Sequence, residues 1–104
     1  MNAKGKAERR LVMERDRECF LHKLDSEHIC RGPFGDPHSP YAMARMTVDH
    51  FHLHVGGTKG KRADDDRYHM VAMCAAGNGG CPSHEVREAE RAYIHDLYPS
   101  EVAA

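Results

Sequence analysis

The sequence predicts a single α+β domain in which an N-terminal helix leads through a loop into a two-stranded antiparallel hairpin closed by a last helix. Three observations carry this expectation. Residues 47–55 alternate Asp49, Phe51, Leu53 and Val55 with His50, His52 and His54, the period of two that a half-buried strand shows. A second short apolar segment, Met70-Val71-Ala72-Met73, runs into Cys74 and has the length of a strand. Behind Ser83, a suitable N-cap, Val86, Ala89, Tyr93 and Leu97 recur at three- and four-residue spacing and make the stripe of an amphipathic helix.

Taken in order, residues 4–17 mix basic and acidic side chains, and Ala7, Leu11 and Val12 can line one side of a helix there. Residues 30–40 hold Gly32-Pro33, Gly35-Asp36-Pro37 and Ser39-Pro40, which break regular structure and read as loop. Residues 41–46 read as a short helical turn, and residues 56–62 as a glycine-rich basic loop containing Lys59, Lys61 and Arg62. Gly77-Asn78-Gly79-Gly80 reads as a turn. Glu85 and Glu88 sit near the positive end of the last helix, and Pro99 is expected to stop it. The divisions are residues 1–18 as a helical extension, 19–98 as the main domain and 99–104 as a tail.

The chain has 104 residues, enough for one core, but only 40% are hydrophobic, with no Trp and three Phe. Domains this lean often rely on a metal or a disulfide. The net charge of −1 argues mildly against nucleic-acid binding, since such domains are usually basic, though a local basic patch can serve where a global one is absent. No apolar run approaches the roughly 20 residues of a membrane span, and residues 1–10 lack the apolar stretch of a secretory signal. The expectation is a cytoplasmic protein with no membrane partner. In that compartment cysteines more often bind metal than pair.

Cys19 and Cys30 are separated by ten residues, and Cys74 and Cys81 by six. Two thiolates from each of two loops is a common way to hold tetrahedral structural zinc, so Cys19, Cys30, Cys74 and Cys81 form the preferred zinc site. His22, in Cys19-Phe20-Leu21-His22, and His28, two residues before Cys30, are alternative ligands. Four reduced, partly buried cysteines without metal are the plainer reading.

Val48-Asp49-His50-Phe51, the basic glycine-rich loop, His69-Met70-Val71-Ala72-Met73-Cys74 and the closing helix near His84 together resemble the HNH (ββα-metal, or His-Me finger) endonuclease motif. Gly60-Lys61-Arg62-Ala63 and the helix from Val86 through Tyr93 resemble small HNH proteins of actinobacterial bacteriophages. The similarity spans about residues 19–93. It implies a ββα-metal fold and a DNA endonuclease that leaves 5′-phosphate and 3′-hydroxyl ends. It also implies a setting in phage DNA processing or packaging, hence in the host cytoplasm, with terminase or other packaging proteins as partners.

Phosphodiester hydrolysis needs an activated water, a cation against the phosphorane charge and stabilisation of the leaving oxygen. The resemblance makes His50 the general base, a role open to an imidazole at neutral pH. Asp49 and His84 would bind a catalytic divalent metal, and a histidine in that set admits Mn²⁺, Ni²⁺ or Zn²⁺ beside Mg²⁺. His69 stands where the family usually has Asn and would orient the base or a phosphate. His84 lies three residues beyond Cys81, whereas the family more often places this histidine directly after the cysteine. Lys59, Lys61 and Arg62 would contact phosphates, with Arg9, Arg10, Arg15 and Arg17 extending the track.

Plainer readings stand beside these. His52, His54, His38 and His95 read as surface residues, and Asn78 as a turn residue. Asp64, Asp65 and Asp66 read as a solvated run, with Asp66 able to cap the next segment. The main rival function is a non-catalytic zinc-binding module that holds nucleic acid or a protein, including a degenerate nuclease.

Overall fold

The computed structural model describes residues 2–54, 63–80 and 82–102 of the chain. Asn2 starts the first helix, α1 (Ala3–Asp16), by accepting the Gly5 N–H at 2.9 Å. Arg17 ends it in the left-handed region, with φ of 56°. The buried side carries Gly5, Val12, Met13 and Asp16. Ala7 and Leu11, expected inside with Val12, face solvent instead. What displaces them is Asp16, whose carboxylate is drawn inward by polar partners that an apolar pattern does not reveal.

A short helix, α2 (Phe20–Leu24), comes next and buries Phe20. The expected loop at 30–40 contains a small hairpin of β1 (Cys30–Arg31) and β2 (Pro37–His38), with Gly35 at φ +83° in its turn. A 3-10 turn (Met43–Arg45) supplies the helical turn expected at 41–46.

The main hairpin pairs β3 (Met46–His50) with β4 (Met70–Cys74), in register from Met46↔Cys74 to His50↔Met70. One further bond, from the Phe51 N–H to the His69 carbonyl at 3.0 Å, lies beyond the last pair. The strand expected over 47–55 stops at His50, because the partner chain turns away. Asp66 accepts the Tyr68 N–H at 3.0 Å, and its carbonyl accepts the His69 N–H. Phe51 and Leu53 nevertheless stay buried, whereas His52 is half-buried and His54 exposed. Val55 and the 56–62 loop lie outside the described residues.

All five residues of β4 are buried, since α1 and α2 both pack on it. That explains its unbroken apolar run. A helical turn, α3 (Ala75–Gly79), occupies the turn expected near residue 77. Gly77 makes room there: a Cβ would meet the end of the Leu21 side chain, which would have to shift, and would lie 3.2 Å from the Cys74 sulfur.

Ser83 caps the last long helix, α4 (His84–Leu97), by accepting the Val86 N–H at 3.3 Å. Glu90 and Ile94 are its buried residues, with Val86, Ala89 and Tyr93 packed partly against the core. Leu97, expected in the stripe, is 45% exposed. Tyr98 takes the inward contact instead, edge-on to Tyr68 with centroids 5.1 Å apart. The helix ends just before Pro99, as expected, and Pro99 then opens a final turn, α5 (Pro99–Val102), as its fixed φ allows at a first helical position.

Asp16 joins three elements. Its carboxylate accepts from Arg15 at 2.6 Å, from the Tyr93 hydroxyl at 2.6 Å and from the Ala72 N–H at 2.9 Å. This seals the free side of β4 with a side chain rather than a strand. No helix of the described residues is long and apolar enough to cross a membrane.

Candidate functional site

Cys19 precedes α2, Cys30 opens β1 and Cys74 ends β4, and all three thiols are buried and unbridged. The Cys19 N–H donates to the Pro40 carbonyl at 2.8 Å, which fixes the first cysteine against the far end of the small hairpin. His28 completes the group. One ligand atom each from Cys19, His28, Cys30 and Cys74 lies within 4.8 Å of the other three. Tetrahedral metal–sulfur bonds of about 2.3 Å separate sulfurs by about 3.8 Å, so the cluster has the right scale.

The chemistry of the donors agrees. Burial, reinforced by the neighbouring Cys19 and Cys74 sulfurs, pushes the Cys30 thiol well above its ordinary range, and burial also raises Cys19. Thiolates this close need a cation to coexist. Burial lowers His28, which favours the neutral imidazole that ligates metals. Backbone N–H groups of Cys74 and Gly77 point at the Cys19 and Cys74 sulfurs, each at 3.4 Å, and would support thiolate charge. The cluster can therefore hold a metal ion.

Of the four cysteines expected at zinc, the structure brings three together. Cys81 lies outside the described residues. His28, not His22, is the histidine of this group: His22 turns its Nδ1 to Glu18 at 2.6 Å and sets its ring edge-on to Tyr41. The signal in the sequence was the proximity of His28 to Cys30, which spacing alone does not separate from Cys19-Phe20-Leu21-His22.

The second region lies where the main hairpin opens. His50, the last residue of β3, places Nε2 2.5 Å from Asp65 Oδ1. His69, just before β4, places Nδ1 2.6 Å from Asp66 Oδ1. Both imidazoles are thus clamped by consecutive aspartates of the segment that the sequence suggested was solvated. Asp64, Asp66 and His69 also have ligand atoms within 4.8 Å of one another. The acidic run has a structural role that composition hid.

Asp49 and His84 are not brought into a common group. Asp49 is 2% exposed and its Oδ2 accepts from Arg87 Nη1 at 2.6 Å. The same nitrogen donates to the His50 carbonyl at 3.1 Å and to Glu90 Oε1 at 3.0 Å. Glu90 is fully buried beside them. Burial, aided by the hydrogen bond and charge of Asp49 and opposed by Arg87, pushes its carboxyl up to about 9. His84 is exposed and pairs with Glu88 at 3.0 Å.

The other expected residues lie apart from both groups. His95 is exposed and His38 bonds the Ser39 carbonyl through Nδ1. Asn78 does more than turn the chain: its amide donates to Thr47 Oγ1 and to the Val48 carbonyl, each at 3.0 Å, bracing β3. Arg15 leaves the expected basic track, since it points inward to Asp16 and to the Arg67 and Met70 carbonyls. Lys59, Lys61 and Arg62 lie outside the described residues.

No protein family, curated protein or solved structure matches the chain in comparisons with known proteins.

Proposed function

We propose that the chain is a metal-dependent endonuclease that hydrolyses DNA phosphodiester bonds, its fold stapled by zinc at Cys19, His28, Cys30 and Cys74. The observation that carries the reading is the carboxylate-bound imidazole of His50 at the mouth of the hairpin, beside Asp64, Asp66 and His69. Nε2–H of His50 is donated to Asp65, which leaves Nδ1 as the basic nitrogen. Nδ1 takes the proton of the attacking water, and Asp65 holds the ring and stabilises the imidazolium that results.

His69, held by Asp66, is in this reading a cation ligand rather than the phosphate-orienting group that the resemblance implied. Asp64, Asp66 and His69 are the residues that would hold a divalent cation in this arrangement, in place of Asp49 and His84. Such a cation, when bound, supplies positive charge against the phosphorane oxygens. Three thiolates and an imidazole favour zinc at the staple, whereas two carboxylates and an imidazole admit Mg²⁺, Mn²⁺ or Ni²⁺.

Plasmid nicking with Mg²⁺, Mn²⁺ and Ni²⁺, comparing wild type with His50→Ala, tests this. The expected result is open-circular product from the wild type and its loss in the variant. Equal nicking by His50→Ala overturns the mechanism. The burial of Asp49 against Arg87 and Glu90 favours a second reading, a non-catalytic zinc-binding module. Absence of hydrolysis with every cation, with zinc and fold intact, would select it.

A further inference from the structure

Lys6, Arg10, Met13 and Arg17 fall at positions i, i+4, i+7 and i+11, a single line along α1 and its C-cap. Two adjoining grooves share that line. One is lined by Lys6, Arg9, Arg10, Met13, Met43 and Ala44, and encloses about 400 Å³. The next shares Arg10, Met13 and Met43 and adds Glu14, Arg17 and Tyr41.

Four cations therefore line the grooves against one carboxylate, on a protein whose net charge is −1. The imbalance is local, and the fold creates it. Glu8 of the same helix is turned to Arg67 at 3.0 Å, and Asp16 is buried against Arg15, so two acids of α1 are neutralised elsewhere. Among the described residues, no hydrogen bond or ion pair engages the heads of Lys6 and Arg10. Arg9 is half-buried and ties the groove floor to the start of β3 through the Met46 carbonyl at 2.8 Å. Tyr41 is 61% exposed on the opposite wall.

We propose that this face of α1 binds the phosphodiester backbone of duplex DNA. The occupant is named as DNA on the strength of the proposed nuclease function; the charge complementarity is independent of it. From Lys6 to Arg17 the helix rises about 16 Å, the length of about five base pairs at 3.4 Å each. A row of cations repeated along a rigid helix suits a ligand with regularly repeated charge. Such contacts carry no base readout, so binding is insensitive to sequence and sensitive to salt. Asp64, Asp65 and Asp66 lie beside Asn2 and Lys4, and Arg67 pairs with Glu8, about half a turn around α1 from Lys6, Arg10 and Arg17, so the basic line is on a different side of the helix from the segment that clamps His50.

The test is fluorescence anisotropy of a labelled duplex across a salt series, without divalent cation. Wild type is compared with K6Q/R10Q/R17Q and with the charge-conserving K6R/R10K/R17K. The neutral triple variant is expected to weaken binding at least about tenfold and to reduce the slope of log K against log salt by about 2 to 3, while the conserving variant keeps both. Identical affinity and slope in the neutral variant overturn the proposal, as does equal loss in the conserving variant. Competition by polyglutamate as strong as by duplex, charge for charge, also overturns it in favour of an acidic polypeptide. H50A separates this from the catalytic reading, since it is expected to bind duplex like wild type whether or not it nicks.

Discussion

Asp65 Oδ1 and His50 Nε2 lie 2.5 Å apart, joining the end of β3 to the acidic segment that precedes β4. If this pair performs the proton transfer, His50→Ala lowers the nicking rate by about 10²- to 10⁴-fold, the usual contribution of a general base. Asp65→Asn keeps a side chain of the same shape but loses the charge that holds the ring, and a loss of up to about 10⁴-fold is expected. Initial nicking rates at saturating DNA check both, and an unimpaired D65N variant would exclude the pair as the base.

The metal staple makes a sharper claim about ligands. Purified protein should contain about one tightly bound atom per chain, and chelation should lower the melting temperature steeply, because structural zinc contributes on the order of 10 kcal/mol. His28→Ala or Cys74→Ser is expected to lose that atom. Cys81→Ser is expected to keep it, since four donors are already gathered without Cys81. Metal analysis of the three variants decides; retention by H28A with loss by C81S would reassign the fourth ligand.

Glu90 predicts a pH dependence of stability. Its folded-state carboxyl is raised to about 9 from an ordinary 4.5, by burial first and then by Asp49. The folded protein thus holds a proton that the unfolded chain releases in that window. The stabilising contribution is whole below about pH 4.5 and declines as pH rises toward about 9, with a limiting slope of about 1.4 kcal/mol per pH unit. Glu90→Gln keeps a hydrogen-bond donor without the titrating proton. Urea melts at pH 6, 7 and 8 should show the decline in wild type and a flatter profile in E90Q.

The Asp16 carboxylate is a stability determinant with no part in the proposed chemistry. Asp16→Ala leaves the Ala72 N–H and the Tyr93 hydroxyl without their acceptor and Arg15 without its counter-charge, and a loss of about 3 to 5 kcal/mol is expected. Tyr93→Phe removes one bond to that charge and should cost about 1.5 to 3 kcal/mol. Chemical denaturation measures both. A D16A loss no larger than that of Y93F would mean that Arg15 and Ala72 find other partners.

Much of the fold was legible along the chain. The apolar run at Met70 and the cap at Ser83 each express a local rule, and each element formed where that rule put it, whereas the alternation through Asp49, Phe51 and Leu53 located β3 but overran its end at His50. Leu11 and Leu97 were misjudged because inward-facing polar groups and the Tyr98 contact compete with apolar periodicity. Asp16 and Glu90 occupy buried positions that hydropathy assigns to the surface.

The site was legible only as a set of residue types. Three cysteines near one another were foreseeable, because a lean core with spaced thiols points to a metal. The choice of His28 over His22 was not, since it depends on which side of α2 faces the β4 terminus. Nor could Asp65 and Asp66 be assigned to His50 and His69. The His50–Asp65 partnership joins residues fifteen apart across the opening of the hairpin, whereas Asp66 meets His69 three residues on, inside the turn that precedes β4.

By itself, then, the sequence determined the main helices and hairpin, their order and the chemical donors available, since these come from short-range propensity and composition, while α2, the β1–β2 hairpin and the short turns α3 and α5 emerged only in the fold. The tertiary structure alone decided which donors meet, which acids are silenced by burial or pairing, and which side of α1 is left positive. Those outcomes depend on long-range packing, and side chains distant in the chain become neighbours only once the hairpin is closed between its helices.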